Sequence, residues 1–433
     1  MNLFVFSQED GNMAKQVAQT PPLGWNSWDC YGASVREDEV RANAAYMAAN
    51  LKEYGWEYVV VDIQWYEPNA KSDQYNAYAP LVMDEYSRLL PAENRFPSAA
   101  GGKGFKPLGD YIHSLGLKFG IHILRGIPRQ AVSQKTAILG GNYTAADIAD
   151  TGSTCDWNTD MYGVDPTKPG AQEYYNSLFQ LYAGWGVDYV KVDDIARPYR
   201  RGEIELIHNA IRNSGREMVL SLSPGPTPLS EGEHVAKHAN LWRMTDDFWD
   251  RWDHLSAMFE RADAWSGYIG PGHWPDADML PLGRIGIRSA GGDRYTRFTK
   301  DEQITLMTLW AMIRSPLMFG GDLRYNDEWT TALITNEEVL EITKSSRANR
   351  QLYRDNDLIA WTAEGEDNSV YLAHFNLREE AADIGTDLFQ LGLTGRYLVR
   401  DLWAREDVET TSTGVVTKVP PHGAVLMKLT RLA

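Results

Sequence analysis

The sequence predicts an α/β chain: a TIM (β/α)8 barrel followed by a C-terminal antiparallel β-sandwich domain. Apolar, β-branched runs alternate with helix-periodic stretches from about residue 23 to about residue 344, as a parallel sheet with crossover helices requires. Eight candidate strands favour a closed barrel over an open sheet. No GxGxxG or phosphate loop supports a doubly wound alternative. From residue 358 onward the pattern changes to short alternating runs separated by Gly, Asn and Asp turns, the mark of packed antiparallel sheets.

Residues 1–18 form a poorly specified lead-in, 19–345 the barrel and 346–433 the sandwich. The first strand falls in the Pro/Gly-punctuated stretch Pro21-Pro22-Leu23-Gly24-Trp25-Asn26-Ser27-Trp28. A helix follows over about 36–54, with Val40, Ala44, Met47, Ala48 and Leu51 on one face and Gly55 as its stop. Tyr58-Val59-Val60-Val61-Asp62 is a buried strand. The long polar segment 66–104 reads as a functional loop. Helices are expected over about 107–115, 169–184, 201–214, 250–265, 301–313 and 336–344. Strands are expected over 117–123, 187–193, 218–222, 241–244, 267–272 and 315–319, with a second long loop at 125–165. In the sandwich, strands are expected at 358–361, 369–373, 397–399, 415–419 and 424–427.

Composition narrows the function classes. Of 433 residues, 43% are hydrophobic and 23% charged, ordinary for a globular chain. The formal net charge of −17 argues against nucleic-acid or anionic-membrane partners, whose phosphates it would repel. The 15 Trp and 22 Tyr suit the apolar faces of sugar rings as well as cores. Two cysteines, Cys30 and Cys155, form no metal-ligating spacing, so a reducing compartment is the default and a bridge between them is left open. The N-terminus lacks a basic region and a long apolar core, no segment is long enough to span a bilayer, and the cytoplasm is the expected location.

The chemistry centres on Tyr189-Val190-Lys191-Val192-Asp193-Asp194. Strand parity puts Val190 and Val192 on the helix-facing side and Lys191 and Asp193 toward a barrel mouth. Asp62, Asp193, Asp247 and Asp278 fall at successive strand ends, with Trp28, Trp65 and Trp242 nearby. Taken singly, each aspartate is more simply a cap, a turn residue or an ion-pair partner; together they describe a polar, aromatic mouth. Arg243, Thr245 and Asp247 share one face by the same parity. Two carboxylates across a pocket suffice for glycoside hydrolysis, one attacking the anomeric carbon and one protonating the leaving oxygen. Lys191 beside Asp193 would keep it ionised. There is no GxSxG and no HExxH, and His122 reads as structural or as a substrate contact.

Leu23-Gly24-Trp25-Asn26-Ser27-Trp28, Tyr58-Val59-Val60-Val61-Asp62, Lys191-Val192-Asp193 and Trp242-Arg243 with Asp247 resemble successive signatures of glycoside hydrolase family 27. Pro275-Asp276-Ala277-Asp278-Met279-Leu280, Leu309-Trp310-Ala311-Met312 and Ser315-Pro316-Leu317 continue the resemblance to about residue 345. That family holds α-galactosidases and α-N-acetylgalactosaminidases. The resemblance implies a retaining exo-glycosidase without cofactor or metal that hydrolyses terminal α-D-galactosides of an oligosaccharide or glycoside; a homo-oligomer is left open. It implies Asp193 as nucleophile, Asp247 as acid/base, and Trp28, Asp62, Lys191, Arg243, Asp278 and Met279 as sugar contacts, with Trp65 and His122 beside them. Where the family has a second aspartate for the 4- and 6-hydroxyls, this chain has Ile63. This suggests β-L-arabinopyranosides, which lack the hydroxymethyl of α-D-galactosides, as an alternative to galactosides. Ser223 suggests room for an N-acetyl group. His122 stands in place of a Tyr, and Ile195 in place of a Cys, which leaves Cys155 without that partner.

Overall fold

The computed structural model describes residues 17–432; the lead-in expected over 1–18 lies almost wholly outside them. Eight parallel strands form the first sheet: β1 (Leu23–Asn26), β2 (Tyr58–Val61), β3 (Lys118–Leu124), β4 (Tyr189–Asp193), β5 (Val219–Leu222), β6 (Leu241–Arg243), β7 (Trp274–Asp276) and β8 (Leu317–Phe319). Their order is β7-β6-β5-β4-β3-β2-β1-β8. The sheet curls until a parallel bridge between Leu280 and Phe319 joins the segment after β7 to β8. Helices α1 (Glu37–Asn50), α2 (Lys106–Ser114), α3 (Ala171–Trp185), α4 (Arg201–Asn213), α5 (Gly232–His238), α6 (Trp252–Trp265), α7 (Lys300–Met312) and α8 (Glu337–Ser345) return the chain between strands and on to the second domain.

The side-chain period of two sorts the strands into layers. Val59, Val61, Val190 and Val192 face the helices and join the large core. Tyr58, Val60, Tyr189, Val219, Leu241, Trp274 and Met318 fill the barrel interior. At β1 the interior is too tight for any side chain at position 24: a Cβ on Gly24 would sit 2.5 Å from the carbonyl oxygen of Tyr58.

Three expectations need correction. The seventh strand is Trp274–Asp276, not 267–272. Ser266–Tyr268 is instead a 3-10 turn, and Gly270-Pro271-Gly272 carries the chain round to the strand. Helix α5 lies between β5 and β6 where no helix was expected; its seven residues are too few to show a periodicity. The 125–165 segment is not a plain loop but contains a three-stranded antiparallel sheet, Ile127–Pro128, Ala149–Thr154 and Met161–Val164.

The sandwich comprises β9 (Arg347–Asp355), β10 (Leu358–Glu364), β11 (Val370–Asn376), β12 (Ala382–Asp387), β13 (Tyr397–Asp401), β14 (Glu406–Thr411), β15 (Gly414–Val419) and β16 (Ala424–Arg431). One sheet runs β9-β10-β11-β16-β13-β14 and the other pairs β12 with β15, all antiparallel. Between them lie Leu372, Leu388, Val399, Val415, Met427 and Leu429. The domain docks on the barrel helices. His422 stacks on Trp252 of α6 at 3.7 Å between ring centres, Phe375 meets Phe259 edge-on, and Trp403 Nε1 donates to Thr308 of α7 at 2.8 Å.

Candidate active site

The parity that fills the barrel with apolar groups continues past the strand ends with polar ones. Tyr58 and Val60 are followed by Asp62, Tyr189 by Lys191 and Asp193, Leu241 by Arg243, and Trp274 by Asp276 and then Asp278. These residues crown the apolar plug at the carboxyl ends of the strands, the catalytic end of such barrels. Above them opens a cavity of about 480 Å3 lined by Trp28, Asp62, Ile63, Lys191, Asp193, Arg243, Asp247, Asp278 and Met279. The volume suits a single sugar unit with part of its aglycone.

Asp193 is held from two sides. Its Oδ2 lies 2.9 Å from His122 Nε2, and its Oδ1 accepts the backbone N–H of Asp194 at 2.8 Å. Burial alone would raise its pKa, but the His122 hydrogen bond and the Lys191 charge outweigh that and leave it below the ordinary carboxylate value. Asp62 follows the same logic: burial opposes its ionisation, Lys191 Nζ at 2.9 Å and Asn26 Nδ2 at 2.7 Å favour it, and its pKa is lowered. The adjacent Asp194 turns away, pairs with Arg125 at 2.9 Å, and has its carboxyl raised by burial to about 6.

On the opposite wall Arg243, almost wholly buried, holds two carboxylates: Asp247 Oδ1 at 2.9 Å and Asp278 Oδ1 at 2.8 Å. Asp247 remains largely open to solvent while Asp278 is enclosed. One carboxylate buried among donors and another at the wetter rim can divide the roles of nucleophile and proton carrier.

Three expected contacts do not line the cavity. Trp65 belongs to the outer layer, where it packs edge-on against Tyr66, Phe105 and Trp185 and donates Nε1 to the His122 carbonyl at 2.7 Å. His122 is fully buried and reaches the cavity only through Asp193. Ser223 is buried, tied by its backbone to Val192 and Ile195, and its neighbour Pro224 lines the space instead. Trp242 is likewise in the outer layer, against Trp265. Cys30 and Cys155 are both buried free thiols.

The lining also includes residues without a strand-end signal: Asp29, Tyr75, Trp157, Arg197, Pro224, Asp246, Phe248 and Trp249. Tyr75 stacks on Trp28 at 6.0 Å and meets Trp157 at 5.6 Å, so a one-turn helix and two loops build one aromatic wall. The loop carrying Tyr75 is clamped by Arg95, whose guanidinium donates to the carbonyls of Gln64, Glu67, Ala33 and Val35 at 2.7–2.8 Å. Asp29, at the cavity floor, has one carboxylate oxygen without a partner; burial and then the nearby Asp278 push its carboxyl well above the ordinary value.

Residues 165–345 match the family described as alpha galactosidase A, and residues 355–429 match the alpha galactosidase C-terminal beta sandwich domain. A GH27 β-L-arabinopyranosidase from Geobacillus stearothermophilus is 60% identical, with a TM-score of 0.96 over 97% of this chain and 98% of its own. A Bacillus halodurans structure, assigned provisionally as an α-N-acetylgalactosaminidase, is 55% identical, with a TM-score of 0.88 over 96% of this chain and 98% of its own. Alpha-galactosidase 2 of Arabidopsis thaliana is 26% identical over 97% of this chain and 91% of its own length. A barrel mouth lined by carboxylates, joined to this sandwich, defines a glycoside hydrolase. The chain belongs to glycoside hydrolase family 27.

Proposed function

We propose that the protein is an exo-acting, retaining β-L-arabinopyranosidase. The observation that carries this reading is Ile63, a buried side chain in the cavity lining directly after Asp62. An isoleucine offers no hydrogen bond and occupies space that a hydroxymethyl group would need, whereas a terminal arabinopyranose has only a ring CH2 there. The Geobacillus likeness supports the same choice. Ser223, which suggested the N-acetylgalactosamine alternative, is not among the residues that line the cavity, and the Bacillus halodurans likeness keeps that alternative in the assay.

In the proposed mechanism the Asp193 carboxylate attacks the anomeric carbon while the Asp247 carboxylic acid protonates the glycosidic oxygen, and the aglycone departs as an alcohol. Asp247, now a carboxylate, takes a proton from water as that water attacks the same carbon. Asp193 then leaves as a carboxylate, and two inversions give net retention. Lys191 and Asp62 hold ring hydroxyls, Arg243 with Asp278 orients Asp247, and Trp28 covers the apolar ring face.

The deciding assay compares kcat/KM on nitrophenyl β-L-arabinopyranoside, α-D-galactoside and N-acetyl-α-D-galactosaminide. Arabinopyranoside is expected to lead. Ile63→Asp is expected to move the galactoside-to-arabinoside ratio by roughly 10- to 100-fold, the equivalent of the ~1–3 kcal/mol carried by one buried hydrogen-bonding group. A galactoside preference in the parent that Ile63→Asp leaves unchanged would overturn the reading. For the roles, Asp247→Ala is expected to slow substrates with poor leaving groups by roughly 10^2–10^4-fold and dinitrophenyl glycosides far less; equal losses on both would remove Asp247 as the acid.

A further inference from the structure

Outside the cleft, helices α4 and α5 bring Glu205, His234 and His238 together so that one ligand atom from each lies within 4.8 Å of the other two. Among the described residues it is the one such trio of His, Cys, Asp and Glu. His234 and His238 stand one turn apart on α5 and so project from one face. Their rings lie 4.2 Å apart between centres. His234 Nε2 is already 3.0 Å from Glu205 Oε1, close to the ~3.4 Å edge of a tetrahedron whose corners are about 2.1 Å from a central ion.

The outer contacts fix the ring orientations that ligation needs. His238 Nδ1 lies 2.8 Å from the carbonyl oxygen of His234, so Nδ1 carries the proton and Nε2 keeps its lone pair. His234 Nδ1 lies 2.7 Å from the Tyr199 hydroxyl, which can accept its proton and free Nε2 in the same way. Metal-bound imidazoles are oriented by this kind of second contact. Glu205 is half-exposed and reaches in from solvent, while His234 is nearly enclosed. The spacing therefore gives three nitrogen and oxygen donors with an open side for water.

We infer that Glu205, His234 and His238 form a binding site for a divalent transition ion of the zinc type, distinct from the glycosidase cleft. Imidazole and carboxylate donors in this number suit zinc, and nickel or copper by the same softness argument. Motif spacing could not reveal the site, because its donors come from two helices and only the His234–His238 pair shares a sequence period. The bound ion would cross-link α4 to α5 and fix Tyr199, two residues beyond the cleft-lining Arg197.

The test uses the full-length, tag-free protein, stripped with chelator and titrated calorimetrically with zinc chloride. One equivalent is expected to bind, the melting midpoint to rise by a few degrees in excess zinc, and cobalt(II) to give the visible absorption of a low-coordinate site. Glu205→Gln, at an exposed position that spares the fold, and His238→Ala are each expected to weaken binding at least tenfold. Tyr199→Phe is expected to weaken it about tenfold through its effect on His234. The absence of saturable one-to-one binding overturns the inference. So does stoichiometric binding that Glu205→Gln and His238→Ala leave unchanged.

Discussion

Single residues around the cleft set which groups carry protons. His122 acts on Asp193 from outside the cavity, and replacing it with Phe would leave the burial that opposes ionisation while removing the donor. In the proposed mechanism Asp193 must be ionised to attack, so the acid limb of kcat/KM in His122→Phe should move upward by about 1–2 pH units. That shift corresponds to the ~1.5–3 kcal/mol of a hydrogen bond to a charged group, and a pH profile measures it. Asp29 presents the reverse case. Its carboxyl is raised, so the native state binds that proton more tightly than the unfolded chain does. Its stabilising contribution is complete below the unfolded value near pH 4 and is lost as pH rises through the folded value. Asp29→Asn should therefore raise the melting midpoint at pH 7.5 and do so less at pH 4, by up to about 1.4 kcal/mol per pH unit between the two values. Equal effects at both pH values would place the cause elsewhere.

At the scale of elements, what was legible in the sequence was what obeys a short period. Tyr58-Val59-Val60-Val61-Asp62 reads as a buried strand from its unbroken apolar run, Tyr189-Val190-Lys191-Val192-Asp193 announces its two faces by alternation, and the structure places them accordingly. The three-residue strand β7 carries too little pattern to be located among Gly270, Pro271 and Gly272. Strands β9, β12 and β14 lie outside the expected set; in β14 the first five residues are exposed, which leaves no alternation to read. In the site, Asp62, Lys191, Asp193 and Arg243 follow from strand parity. Tyr75 and Trp157 do not, because they sit on long connections whose course is set by contacts distant in sequence, and Pro224 lies two residues past the end of β5. Ser223 is suggested by the family resemblance and Trp65 by its nearness in sequence to Asp62, and a one-residue step reverses or displaces a side chain.

For the whole molecule, the sandwich is coupled to the barrel through aromatic and polar contacts with α6, α7 and α8, including Arg400 to Glu338 at 2.8 Å and Asn336 Nδ2 to the Leu402 carbonyl at 2.9 Å. His422 is shared among Trp252, Glu302 and Glu379. Trp252→Ala should lower stability by about 1–3 kcal/mol. The loss should appear in calorimetry as a shift of one cooperative transition rather than its division into two; a separate early transition would show that the domains unfold independently.

Arg95 has a further consequence for the way the cleft operates. By binding four carbonyls it anchors the Tyr75-bearing segment to the turn after Trp28 during folding, before any sugar arrives. The conformational entropy of assembling that side of the aromatic wall is thus charged to the folding equilibrium and not to substrate association. The cleft then meets its sugar as a fixed mould, and under the proposed specificity discrimination rests on shape at positions such as Ile63 rather than on how well a ligand can draw a loop closed.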